Sequence, residues 1–72
     1  MINKRMLKAA MAMAGMTQSA LADAVGSSRQ AMSYWINGRR ELSLSTIQKM
    51  SEALSLTDEQ KLTIFFADSV EK

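Results

Sequence analysis

The 72 residues carry nine Lys and Arg, seven Asp and Glu, and neither Cys nor His, for a net charge of +2. Without thiols or imidazoles there is no disulfide framework, no thiolate or imidazole metal site and no ordinary general base near neutral pH, and no cofactor is expected. A chain of this length makes one small domain, expected over 1–72, with a buried fraction of roughly 60% and thin stability.

No proline interrupts the sequence and Ala, Leu, Met, Lys and Gln dominate it, so helix is favoured nearly throughout and five segments emerge. The first spans about 3–14, where Leu7, Ala10, Met11 and Ala14 recur at i, i+3, i+4, i+7 and Gly15 ends the run. Thr17 caps the second, with Met16 and Leu21 spaced as a hydrophobic staple. That helix presents Leu21, Ala22 and Val25 for burial and stops at Gly26; it is too short to persist alone, so packing has to stabilise it. Ser28 caps the third, which runs to about Asn37 with Gly38 as its stop, and a basic connection, Arg39–Arg40–Glu41, follows. Ser43 or Ser45 opens the fourth, with Ile47, Met50 and Leu54 on one side. The fifth is predicted over 57–70. Thr57 and Gln60 have capping-box spacing, and Asp58 and Glu59 suit the positive end of the helix dipole. Leu62, Phe65, Phe66 and Val70 make its apolar side, with Ile64 partly off it.

The join between the second and third segments is the informative part. Ala22 is small enough for two backbones to approach, and Gly26 accepts a positive φ that a residue with a Cβ resists. Leu21, Val25, Met32 and Trp35 then lock the pair at a steep angle onto the other helices, giving a helix-turn-helix unit over 17–38. The third helix is two-faced. Met32, Trp35 and Ile36 lie on one side, and Arg29, Gln30, Ser33, Tyr34 and Asn37 on the other, where a plain surface helix would carry Lys and Glu.

Read together, TQSALADAVGSSRQAMSYWINGRRELSLSTIQKMSEAL resembles the phage repressor and Cro-like (XRE-type) helix-turn-helix family, with likeness over about residues 5 to 56. Thr17–Gln18, Leu21–Ala22, Val25–Gly26, Ser28–Arg29–Gln30, Asn37–Gly38, Ile47 and Ala53–Leu54 all fall at family spacing. The resemblance implies an all-α, compact five-helix bundle of the lambda-repressor-like type that binds double-stranded DNA, its third helix entering the major groove N-terminus first. The side chains suit that placement. Arg29 and Gln30 reach deepest, since Arg pairs with guanine O6 and N7 and Gln with adenine N6 and N7. Ser33 and Tyr34, one turn on, reach bases, a thymine methyl or the sugar-phosphate edge. Gln18, Ser28, Asn37, Arg39 and Arg40 are placed for the phosphate backbone, where contacts position the protein and do not read sequence. The sequence departs from the family pattern at three places. Met11 and Ile36 stand where many relatives carry an Arg–Glu pair, and Ser55 replaces a glycine after the fourth helix.

Other residues have plainer readings. Trp35 and the methionines Met11, Met32 and Met50 are expected in the core, with Met6, Met13 and Met16 unassigned. Lys4, Arg5 and Lys8 are either a solvated face or phosphate contacts, and Tyr34 either faces the groove or lies across the domain's own surface. Phe65 and Phe66 point different ways, so one is expected in the core and the other, with Ile64 or Val70, in a homodimer contact.

Residues 1–49 hold seven basic against two acidic side chains, for +5, and residues 50–72 two against five, for −3, which suits a polyanion on one side only. No apolar run approaches the roughly 20 residues of a membrane span and the start is no secretory signal, so a cytoplasmic protein is expected. The length leaves no room for a second domain, and the expectation is a Cro-like bacteriophage or prokaryotic repressor acting as a homodimer. The competing reading is an antitoxin or anti-regulator that masks another protein with its C-terminal helix. An enzyme is not expected, because no catalytic group has an evident activator.

Overall fold

The computed structural model describes residues 2–66, which form five helices: α1 Lys4–Ala14, α2 Gln18–Val25, α3 Arg29–Ile36, α4 Leu44–Leu54 and α5 Asp58–Phe65. Each begins the same way. The side chains of Asn3, Thr17, Ser28, Ser43 and Thr57 each accept from the backbone N–H three residues on, satisfying a donor that has no helical partner. Ser43, not Ser45, is therefore the cap of α4. At α5 the capping box is complete, because Gln60 Oε1 accepts in turn from Thr57 N–H at 2.9 Å.

The first four helices also end alike. After α2, Gly26 at φ 82° donates to Asp23 O, and Ser27 N–H reaches back to Ala22 O at 2.9 Å. The same double closure follows α1 at Gly15, α3 at Gly38 and α4 at Ser55. Ser55 adopts φ 55° without being glycine, so the departure from the family pattern keeps the backbone turn and carries its steric cost. The capping box at Thr57 starts α5 two residues later in spite of that departure.

The core gathers from all five helices: Leu7 and Met11; Leu21, Ala22 and Val25; Met32 and Ile36; Ile47, Met50 and Leu54; Ile64 and Phe65. The main packing pairs are α2 with α3, α2 with α4, and α1 with α4 and α5. The helix-turn-helix pair is thus seated on α4. Asn3 N–H donates to Ile64 O at 2.6 Å, tying the entry to α1 onto the end of α5. Met11 and Ile36 are both buried in this one cluster, as an apolar substitute for an ion pair requires. Met16 and Trp35 are half-buried against it, whereas Met6 and Met13 are exposed.

Three sequence expectations need correction. Ala14 is exposed, so the apolar side of α1 narrows to Leu7, Ala10 and Met11. Ser51, a polar residue absent from the expected core, is buried; its hydroxyl donates to Ile47 O at 2.7 Å and so needs no water. On α5 the roles of two residues are exchanged, Ile64 being buried and Leu62 about half exposed at 48%. Two stripes compete at helical spacing there, 62/65/66 and 61/64/65. Packing against α1 selects the second, with half-buried Lys61 at its edge. Ile64 is consequently unavailable for a subunit contact. The helix predicted over 57–70 ends at Phe65, because Phe66 leaves helical backbone angles at φ −126° and ψ 36°, and Val70 lies outside the described residues.

Candidate nucleic-acid interface

The outward side of α3 is built from its cap. Ser28 Oγ accepts from Ala31 N–H at 3.0 Å, which starts the helix and leaves the hydroxyl hydrogen free to donate. Arg29 and Gln30 follow in the first turn, both exposed, while Met32 and Ile36 on the opposite side are buried. The expected Arg–Gln tip therefore points to solvent and is not folded back. Gln18 is exposed at the first position of α2, where helix geometry leaves backbone N–H groups directed outward.

One turn further, the expected residues are joined to one another. Gln30 Nε2 donates to the Tyr34 hydroxyl at 3.0 Å, and the Arg40 guanidinium lies over the Tyr34 ring, 5.3 Å from its centroid. A partly exposed cation–π contact of this kind stabilises by roughly 0.5–1 kcal/mol. Tyr34 is half-buried, with its hydroxyl and its ring each engaged by a neighbouring side chain. Asn37 is also engaged: its Nδ2 donates to Ser33 O at 2.9 Å and to Ser33 Oγ at 3.3 Å, and its Oδ1 accepts from Lys4 Nζ at 3.1 Å. Ser33, Tyr34, Asn37 and Arg39 line a polar hollow of about 480 Å³ on this surface.

The Lys4 contact was hidden from sequence reasoning. It spans 33 residues and depends on how α1 passes the end of α3, so no local spacing announces it. It brings a third cationic segment to the side that already holds Arg29, Arg39 and Arg40, all four residues being exposed. The Gln30–Tyr34 pair, by contrast, sits at i, i+4 and was available to inspection of the helix. Charge and hydrogen-bonding groups thus collect on one side of α3, while its other side is committed to the core. That combination suits a polyanion read in detail better than one held only by charge.

A family model described as helix-turn-helix matches residues 7–62, which takes in most of α1, all of α2 to α4 and most of α5. No curated protein matches the chain at a significant level. No helix among the described residues is long and apolar enough to cross a membrane. With the matched region, the capped α2–turn–α3 unit and the exposed polar tip in agreement, this chain belongs to the phage-repressor and Cro-like (XRE-type) helix-turn-helix family of DNA-binding regulators.

Proposed function

We propose that this protein is a Cro-like repressor of phage or prokaryotic origin that binds its operator as a homodimer and reads the major groove with residues 28–37. The observation that carries this reading is the division of α3, with Arg29 and Gln30 exposed at its first turn and Met32 and Ile36 sealed beneath. In this arrangement Arg29 and Gln30 take base edges, and Ser33 a base edge or thymine methyl. Gln18, Ser28, Asn37, Arg39 and Arg40 take phosphates, with Lys4 beside Asn37 joining them. Repression then follows from occupancy: a protein seated on a promoter blocks polymerase without any chemistry of its own.

Among the described residues, a hollow near the end of α5 supports the homodimer. Phe66 is half-buried, and with Ile2, Trp35, Leu42 and Phe65 it lines a hollow of about 400 Å³. Selection of bound sites from random duplexes tests the whole reading. The expected product is an inverted repeat whose half-sites lie about one DNA turn apart. Enrichment of no sequence, with binding that tracks only length and salt, would overturn sequence-specific regulation.

A further inference from the structure

We infer that Tyr34, held by Arg40, is a positioning residue that restricts Gln30 to adenine; this rests on the major-groove reading of Gln30 proposed above. A glutamine amide is symmetric enough to serve several bases. Presenting Oε1 and one N–H, it matches adenine N6–H and N7, and presenting both N–H groups, it matches the N7 and O6 acceptors of guanine. A free side chain samples both, and it also loses much rotamer freedom when it is finally ordered.

Here the choice is made before DNA arrives. One Nε2 hydrogen of Gln30 is given to the Tyr34 hydroxyl at 3.0 Å, leaving one N–H and the Oε1 acceptor. That remainder is the adenine pattern, and guanine would have to break the bond to be served. The tyrosine can impose this only if its ring is held, and Arg40 stacks on the ring at 5.3 Å to the centroid. The chain of contacts runs from the basic connection after α3, through an aromatic ring, to a side chain in the first turn of that helix. Arg40 accordingly affects which base is read although it lies ten positions from Gln30 in sequence.

The test is site selection with the full chain, comparing the parent with Gln30→Ala, Tyr34→Phe, Arg40→Ala and the Tyr34→Phe/Arg40→Ala double variant. Gln30→Ala identifies the base pair that Gln30 reads. Tyr34→Phe keeps the ring and its stacking but removes the hydroxyl. At that base pair alone, the adenine-over-guanine preference is expected to fall about fivefold, the effect of one ordinary hydrogen bond. Arg40→Ala should lower the same ratio at the same position, and the double variant should be no worse there than Tyr34→Phe, because both act through one contact. Uniform loss of phosphate attraction cancels in this ratio.

A Tyr34→Phe preference unchanged within twofold at the Gln30 position overturns the inference, as does a loss spread evenly over all positions. If instead Gln30→Ala alters no position, the base-reading assignment of Gln30 fails first and takes the inference with it. The two failures are therefore distinguishable.

Discussion

At the scale of single residues, backbone conformation and side-chain reach make separate demands. A Cβ built on Gly26 meets no heavy atom within 4 Å, so space does not require glycine there. Its φ of 82° does, and Gly26→Ala should destabilise the protein by about 1–2 kcal/mol in urea denaturation. An unchanged midpoint would contradict the left-handed turn. Ser55 is the reciprocal case. It occupies φ 55° with a side chain, so Ser55→Gly should stabilise by about 0.5–1 kcal/mol and raise the melting temperature. Among the exposed side chains, Arg29→Ala is expected to cost about 1–3 kcal/mol on the selected operator and to relax preference at one position. Arg39→Ala should weaken all duplexes alike and flatten the log–log salt dependence by about one unit. Competition binding at several salt concentrations separates the two, and equal behaviour of both variants would remove the division between reading and positioning.

At the scale of elements, three of the five helices have only eight residues, and such lengths do not hold in water by propensity. Capping and packing make up the deficit. The caps at Thr17, Ser28 and Thr57 were legible because a hydroxyl residue precedes each apolar run, whereas the spacing puts Asn3 inside the first helix and does not separate Ser43 from Ser45. Thr57→Ala, which removes the hydroxyl half of the capping box and keeps the backbone N–H that donates to Gln60 Oε1, should cost about 1 kcal/mol and increase hydrogen exchange in the first turn of α5 before any other helix. The facing of α5 was not legible. Its two candidate stripes share Phe65, and a lysine on the true one argues the wrong way when hydropathy alone is weighed. Ser51 escaped for a related reason: a hydroxyl bonded to the carbonyl one turn back behaves as a small buried side chain, and only the packed structure shows that the bond is made.

At the scale of the whole molecule, that exchange changes which residues of α5 are left for the proposed subunit contact. Phe65 is a core residue, only 6% exposed, and truncating a buried phenylalanine costs about 3–5 kcal/mol. Phe65→Ser should therefore lose the fold, and any partner lost with it says nothing about an interface. Phe66→Ser, at the half-buried neighbour, should leave helical circular dichroism unchanged and shift sedimentation towards monomer. Folded Phe66→Ser that sediments as the parent does would place the subunit contact elsewhere. Co-purification of an unrelated small protein, lost in this same variant, would favour the masking function over the repressor.

What the sequence determined by itself was the helical inventory, the turn at Gly26 and the two-sidedness of α3. Each of these follows from forces acting within about one helical turn: a side-chain cap, a missing Cβ, an apolar repeat. Tertiary structure alone decided which side of α5 is buried, that Lys4 meets Asn37, and that Arg40 covers Tyr34. The first of these outcomes and the Lys4 contact depend on where distant helices cross, and the Arg40 stack on how the chain doubles back after α3. Contact across such crossings is set by the shape of the assembled core, which no local pattern encodes.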